Sequence, residues 1–192
     1  MCQELYFLLL SSGVVKLSIF VFKFIFRTLA GEGFSPEDIA NRMNSGLCEG
    51  NDTMMFVTLF IGLVHLQTGQ LEFCNCGHNA PLIDGQFLTC KYKNLPLGLF
   101  DDIPFKGESI DDIRGKQLLV YTDGLNEAMN REGELLGNER LLEIMAHSQT
   151  LTASQVVEML KEAVEKHRDG AEPNDDLTLL CLRISKNFLV SI

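Results

Sequence analysis

The pattern of hydrophobic and polar positions divides the chain into helix-like and strand-like stretches. Leu17 to Ala30 carries apolar residues around most of a helical circumference and is followed by Gly31 and Gly33, which favour a helix end. Ser35-Pro36-Glu37-Asp38 then supplies a capping residue, a proline at the first helical position and early carboxylates. This pattern predicts two consecutive helices that form a pair.

The next stretches are rich in β-branched and aromatic residues and lack the helical period, which predicts strands. Met55 to Val64 and Leu71 to Asn75 are separated by a Thr68-Gly69 turn, which predicts a β-hairpin. A shorter hairpin is predicted where Asp84-Gly85 joins Pro81-Leu82-Ile83 to the stretch Gln86 to Cys90. Two further strands are predicted at Gln117 to Tyr121 and Leu177 to Ile184.

Two more helices lie between these last strands. One is predicted over Asn138 to His147, and the other over Thr152 to His167, where Thr152 and Gln155 form a capping box. The strands therefore alternate with helical hairpins rather than with single crossover helices. This order favours an α+β fold of antiparallel sheets flanked by helices over a doubly wound parallel sheet.

The first stretch of the chain is unusual because two apolar runs, Leu5 to Leu10 and Val14 to Phe26, flank Ser11-Ser12-Gly13. A helix that spans a membrane needs roughly 20 mostly apolar residues with few charges, and Lys23 falls inside such a span. A core helix of a soluble domain is therefore the favoured interpretation. Membrane association through residues 5–26 stays open as the alternative.

Composition and charge limit the remaining interpretations. The 192 residues, of which 46% are hydrophobic, suffice for a single globular domain over residues 1–192. With 16 Lys and Arg against 26 Asp and Glu, the net charge of -10 argues against nucleic acid as a partner. The six scattered cysteines fit a reduced, cytoplasmic protein. Cys74, Cys76 and His78 lack a fourth ligand, which disfavours a structural zinc site.

Two acidic turns carry the candidate chemistry. Asp123-Gly124 follows the apolar strand that ends at Tyr121, and Asp175-Asp176 precedes the last strand. Carboxylates at neighbouring strand ends repel each other unless a divalent cation lies between them, and oxygen ligands suit Mg²⁺ or Mn²⁺. Taken alone, each turn is more often a plain loop than a ligand. These residues by themselves indicate a mixed α and β domain with a candidate hard-metal site.

Six motifs occur in one order along the chain. They are Met55-Phe56-Val57-Thr58-Leu59-Phe60-Ile61-Gly62, Thr68-Gly69, Asn75-Cys76-Gly77-His78-Asn79-Ala80-Pro81, Pro96-Leu97-Gly98-Leu99, Tyr121-Thr122-Asp123-Gly124-Leu125-Asn126-Glu127-Ala128 and Asp175-Asp176-Leu177-Thr178. Six ordered motifs are far more specific than any one of them. Their order resembles the sporulation and stress-response branch of the bacterial protein phosphatase 2C-like family, and the match runs from about Phe20 to Ile184.

The resemblance implies a four-layer α-β-β-α sandwich of two antiparallel sheets with a two-metal centre that takes Mn²⁺ or Mg²⁺. Asp123 and Asp175 would be the catalytic metal ligands, and the carbonyl of Gly124 would approach the metal region. Asp176 would orient its loop or hold a water. His78 and Asn79 lie in a loop typical of this branch and are interpreted as structural, because carboxylates carry the family's metal chemistry.

The implied reaction is hydrolysis of a phosphoserine or phosphothreonine ester by water, without a covalent intermediate. In this branch the substrates are phosphorylated anti-sigma-factor antagonists. The resemblance therefore predicts a protein serine/threonine phosphatase that regulates a sigma factor through such a partner. Net charge gives no steering between two acidic proteins, so local contacts and metals must supply the attraction. A dimer is left open.

The chain departs from the family pattern at its start, because residues 1–15 lie outside it. Family members carry Gly-Asp-Val-Ser-Gly-His-Gly ahead of the first helix, and this sequence has Leu9-Leu10-Ser11-Ser12-Gly13-Val14 there. A serine hydroxyl does not replace a carboxylate that bridges two cations. We expect a domain that lacks N-terminal strands, from a truncated gene or fragment. The alternatives are a catalytically impaired member that binds phosphoproteins, or half of an assembly completed by a partner.

Overall fold

The computed structural model describes residues 4–11, 16–49, 51–52 and 55–186. Within these ranges, strands and helices follow one another in an order that matches most of the predicted elements. The elements are β1 (Glu4–Ser11), α1 (Lys16–Gly31), α2 (Pro36–Cys48), β2 (Thr58–His65), β3 (Leu71–Cys76), β4 (Leu82–Ile83), β5 (Gln86–Phe87), β6 (Glu108–Ile110), β7 (Gln117–Tyr121), α3 (Gly137–Met145), α4 (Ala153–Arg168) and β8 (Leu179–Arg183).

The chain divides into two compact units, and each unit has one antiparallel sheet and two helices. The described residues of the first unit are those up to 78 together with 90–113, and those of the second are 79–89 and 114–186. The first sheet has the order β1-β2-β3-β6, and the second has the order β5-β4-β7-β8. The predicted class of two antiparallel sheets with helices is therefore confirmed. That residues 1–192 form one domain stays a prediction.

The first strand corrects the sequence-based interpretation of the N-terminal stretch. Residues 4–11 form β1, which pairs with β2 from Glu4 opposite His65 to Ser11 opposite Thr58. A core helix was the favoured interpretation of this apolar run. That strands ahead of the family's first motif are missing stays a prediction. A short continuous apolar run has no period that separates strand from helix, so pairing with a distant segment decided the outcome. Ser12, Gly13 and Val14 lie outside the described residues.

The helices of the first unit pack on one face of its sheet. Ser35 caps α2 by accepting a hydrogen bond from the backbone N–H of Asp38, and Pro36 opens the helix as predicted. The core on this face contains residues of α1, α2, β2 and β3, among them Phe22, Phe26, Ile39, Met43, Leu59, Ile61, Cys74 and Cys76. On the other face the rings of Phe7, Phe60 and Phe73 stack.

In the second unit, the predicted short hairpin turns at Asp84 and Gly85. Both residues have positive φ values, 48° and 76°, which is the geometry of a tight two-residue turn between strands. Strand β7 is buried at all five positions and pairs with β4 and β8. Helix α4 starts with the predicted capping box of Thr152 and Gln155. It buries Val156, Leu160 and Val164 in the core.

No helix in the described part of the chain has the length and apolar character needed to cross a bilayer.

Candidate functional site

Strands β7 and β8 bring the two acidic turns together. The strands are antiparallel, with Tyr121 opposite Leu179, so the end of β7 lies beside the beginning of β8. The loop after β7, residues 122–129, is called the Asp123 loop, and the loop before β8, residues 174–178, is called the Asp175 loop. Both belong to the second unit. The backbone register places them side by side.

Thr122 fastens the two loops with three hydrogen bonds. Its backbone N–H donates to the carbonyl of Thr178 at 3.1 Å. Its hydroxyl donates to the carbonyl of Asp176 at 2.9 Å and accepts from the N–H of Thr178, also at 2.9 Å. Thr122 is buried, so water does not compete for these bonds. The position of Asp176 is thus fixed relative to the end of β7.

Asn174 makes a second connection, farther along the Asp123 loop. Its side-chain N–H₂ donates to the carbonyl of Glu127 at 2.9 Å, and its side-chain oxygen accepts from the N–H of Met129 at 3.2 Å. The Asp175 loop is therefore held at both ends. Asp175 lies between the two connections.

Gly124 allows the two backbones to approach closely. A Cβ atom at this position would lie 2.5 Å from the carbonyl oxygen of Asp176 and 2.8 Å from its carbonyl carbon. Any side chain would push the loops apart, so glycine is required here by packing. That the carbonyl of Gly124 approaches a metal stays a prediction.

The carboxylates at this place differ in exposure. Asp123 is half-buried, and its carbonyl accepts from the N–H of Glu127 at 2.8 Å, which closes the turn after β7. Asp175 and Asp176 are exposed, and one oxygen of Asp175 accepts from the N–H of Asp176 at 2.7 Å. Burial raises the pKa of the preceding Tyr121 to about 12. That phenol stays protonated near neutral pH.

Asn79 contacts the Asp123 loop, as its side-chain N–H₂ donates to the side-chain oxygen of Asn126 at 3.2 Å. His78 belongs to the first unit, where it is buried and its ring Nδ1 lies 3.3 Å from the hydroxyl of Thr58. Its backbone N–H donates to the side chain of Asn75 at 2.8 Å. These contacts hold loops in place, which supports the structural interpretation of both residues.

The donor set fits a hard cation in part. Mg²⁺ is commonly bound through one or two carboxylates with water as the other ligands, and Asp123 with Asp175 or Asp176 offers such oxygens. The described residues contain no group of three or more His, Cys, Asp or Glu placed to hold a metal ion. At the place of the family's bridging aspartate, β1 ends in Ser11. That Asp123 and Asp175 hold a cation therefore stays a prediction.

The thiols of Cys74 and Cys76, for which the sequence disfavoured a zinc site, are buried close together. Their sulfur atoms lie 3.6 Å apart in the core. Burial raises the pKa of the Cys76 thiol well above its ordinary value, and the neighbouring Cys74 adds to that shift. A metal binds the thiolate, so this burial opposes zinc.

Sequence reasoning missed the two residues that assemble the site, Thr122 and Asn174. Thr122 lay within a quoted motif, but only as a neighbour of Asp123, and Asn174 lies one residue ahead of the quoted Asp175 motif. The sequence feature that pointed to this role was the residue type, because threonine and asparagine side chains readily form hydrogen bonds to backbone groups in loops. Nothing in the sequence showed which distant backbone groups they would contact.

The fold is similar to that of a solved PP2C domain. The SiaA-PP2C domain of Pseudomonas aeruginosa has a similar structure, with a TM-score of 0.75 at 14% identity over 94% of this chain and 80% of that one. The architecture is thus that of PP2C-type phosphatase domains.

The chain belongs to the Stage II sporulation protein E (SpoIIE) family, whose model matches residues 17–185. Protein IcfG of Synechocystis sp. is 30% identical over 142 residues, which is 70% of this chain and 22% of that protein. The phosphoserine phosphatase RsbU of Bacillus subtilis is 23% identical over 165 residues, 84% of this chain and 49% of that protein. The chain thus spans between about a fifth and a half of these relatives. The resemblance stated from the six motifs is confirmed.

Proposed function

We propose that this chain is a metal-dependent phosphatase domain that hydrolyses phosphoserine or phosphothreonine in a regulatory protein. Membership of the SpoIIE family supports a phosphatase, and a relative named phosphoserine phosphatase supports the ester. The observation that carries the proposal is the pair of connections through Thr122 and Asn174. They hold the Asp123 loop against the Asp175 loop, so that carboxylates from two strand ends lie on joined backbone.

Mn²⁺ or Mg²⁺ is the proposed cofactor, held by Asp123 and Asp175. When bound, such a cation activates water and stabilises the negative charge that develops on the phosphoryl group. The chain's own contribution is to orient the ligands: Thr122 and Asn174 fix the loops, and Gly124 lets them approach. Asp176 would orient the Asp175 loop, since its carbonyl accepts from the Thr122 hydroxyl.

The proposed partner is a phosphorylated anti-sigma-factor antagonist in the cytoplasm. The resemblance to the sigma-factor-regulation branch supports this partner, and so does the relation to RsbU. The net charge of -10 provides no long-range attraction to an acidic phosphoprotein. Local contacts on the surface must therefore select the substrate.

The test is release of phosphate from an aryl phosphate and from a phosphoserine peptide as Mn²⁺ is added. We expect metal-dependent turnover that falls at least about a hundredfold in Asp123→Asn and in Asp175→Asn, because an amide removes the charge that binds the cation. Asp111→Asn, at an exposed position of the first unit, is the matched control and should keep full activity. Absence of turnover at every Mn²⁺ concentration would reject the enzyme and leave the alternative, a phosphoprotein-binding module.

A further inference from the structure

The segment 91–106 of the first unit exposes several large apolar side chains around a cleft. The cleft has a volume of about 460 Å³, within the range of ligand pockets. Tyr92, Leu95, Phe100 and Ile103 line it and are between 37% and 53% exposed. Single exposed apolar residues are ordinary on protein surfaces, but a cluster around a concavity marks an interaction site.

The backbone beneath these side chains is firmly held by Asn94, within the segment itself. The side-chain N–H₂ of Asn94 donates to the carbonyls of Asn75 and Lys106, at 3.0 and 2.9 Å. Its side-chain oxygen accepts from the N–H of Lys106 at 2.9 Å. One asparagine thus joins the two ends of the segment to each other and joins the segment to strand β3.

Two asparagines of α2 hold the rest of the segment. Asn44, which is buried, donates to the carbonyl of Phe100 and accepts from the N–H of Gly98, both at 2.8 Å. Asn41 accepts from the N–H of Phe105 at 2.9 Å. The cleft is therefore preformed, and a partner would lose little ordering entropy of the loop on binding.

The charged side chains that line the cleft are both lysines, although the chain is acidic and Glu108 accepts a hydrogen bond from the N–H of Tyr92 beside the cleft. Lys93 and Lys106 are the charged residues among those that line it, whereas Asp101 and Asp102 are not among them. Lys106 lies 3.8 Å from Glu37, a distant pair between exposed side chains, which leaves the ammonium available to a closer acidic partner. In a chain of net charge -10, a cationic apolar cleft is complementary to an acidic and apolar segment.

We propose that this cleft docks a segment of a protein partner in which a large apolar side chain is flanked by acidic residues. The apolar side chain fills the space between Phe100 and Ile103, and the acidic residues meet Lys93 and Lys106. The proposal rests on the proposed function only in taking this partner to be the phosphoprotein substrate. Docking at this cleft supplies a local attraction between the chain and its partner, which the net charge does not provide.

Fluorescence anisotropy with labelled peptides tests the binding directly. The probe Asp-Glu-Asp-Leu-Phe-Asp-Glu-Asp is compared with a version that has Ser-Ser in place of Leu-Phe and with one that has Lys in place of every acid. We expect the wild-type chain to prefer the first peptide at least about fivefold over each of the others. Lys93→Glu and Phe100→Asp should each remove that preference, and Lys166→Glu, an exposed lysine of α4, should retain it. All three changes lie at exposed positions, so thermal unfolding should be unaltered.

A kinetic comparison links the cleft to turnover. A phosphoserine peptide is joined through a flexible Gly-Ser linker to the acidic and apolar segment and compared with the same peptide without it. The appended segment should lower KM at least about fivefold for the wild type and leave it unchanged for Lys93→Glu. An aryl phosphate has no segment that could bind the cleft. Its turnover should therefore be equal in the wild type and in Lys93→Glu.

The two proposals fail in different ways. If the wild type does not hydrolyse an aryl phosphate, the phosphatase proposal is rejected. The anisotropy measurement still tests whether the cleft binds the peptide. Equal binding of the three peptides, or none up to about 1 mM, overturns the docking proposal. It is also overturned if Phe100→Asp converts a dimer to a monomer, or if the wild type binds neutral lipid vesicles through this cleft, because the occupant is then a second copy or a membrane.

Discussion

Thr122 uses one buried hydroxyl as both donor and acceptor, and this double role joins two loops that are more than fifty positions apart in the chain. Neither aspartate is placed by its own side chain alone. The carboxylates are carried by backbone that Thr122, Gly124 and Asn174 hold in register. At the scale of single residues, the site is therefore built by neutral side chains around charged ones.

Replacing Thr122 by valine should therefore lower both stability and activity. Valine keeps the shape but removes the hydroxyl, which leaves the N–H of Thr178 and the carbonyl of Asp176 without that partner. We expect the free energy of unfolding in urea to fall by about 1–3 kcal/mol. Metal-dependent turnover should fall as well. Thr122→Ser keeps the hydroxyl and should recover most of both losses; a valine variant as stable and active as the serine variant contradicts this role.

Gly124→Ala tests the close approach of the loops. The new methyl group meets backbone atoms of Asp176, which move less easily than a flexible side chain, so the free energy of unfolding should fall by about 1–3 kcal/mol. Gly46→Ala in α2 is the control, because a Cβ there meets nothing within 4 Å. It should raise the free energy by about 0.5–1 kcal/mol through helix propensity. Similar effects of the two alanines in thermal or urea unfolding would refute the packing argument.

At the scale of elements, the buried face of α4 contains one charged residue. Its buried positions recur every four residues, at Val156, Leu160, Val164 and Arg168. The last of these is an arginine that is 5% exposed and pairs with the exposed Glu165 at 3.1 Å. Its Nε and Nη2 groups are buried without a hydrogen-bond partner among the described residues. A charge in this position opposes folding unless it is fully paired.

Arg168→Met should therefore retain or raise stability. Methionine fills a similar volume without a buried cation, and such replacements are commonly neutral or stabilising by about 1–4 kcal/mol. Arg168→Ala leaves space that the core does not fill, so it should lower the free energy of unfolding. Thermal and urea unfolding of both variants measure this difference. A methionine variant less stable than the alanine variant would show that the guanidinium itself holds the C-terminal end of α4.

At the scale of the whole molecule, the dominant property is an excess of ten negative charges combined with two separately packed units. The candidate metal ligands and both loop connections lie within the second unit. The apolar cleft lies within the first. The two proposals can thus be disturbed independently by substitution.

Adding Mn²⁺ should stabilise the protein through the second unit. A ligand that binds only the folded state adds about 2.7 kcal/mol at a concentration one hundred times its Kd. We expect the unfolding temperature to rise with Mn²⁺, to return on chelation, and to respond weakly in Asp175→Asn. Hydrogen exchange should slow at residues 122–129 and 174–178. If Mn²⁺ leaves the hydrogen-exchange rates of both loops unchanged, the cation binds elsewhere.

Much of the fold was predictable because its elements carry local signals. Lys16–Gly31 and Pro36–Cys48 have glycine, proline and serine at the positions that end and begin helices, and the structure confirms both. The hairpins around Thr68-Gly69 and Asp84-Gly85 were readable for the same reason. Strands β1 and β6 were not predicted, because an unbroken apolar run and a three-residue strand have no period of their own.

The sequence by itself determined which residues carry charge, where helices begin and end, and to which family the chain belongs. The positions of Asp123 and Asp175 at strand ends follow from the same local patterns. Only the tertiary structure decided that Thr122 and Asn174 join the two loops, that Gly124 is required by a neighbouring backbone, and that residues 4–11 pair with β2. These facts depend on contacts between distant segments, and such contacts arise from pairing and packing that no local spacing encodes.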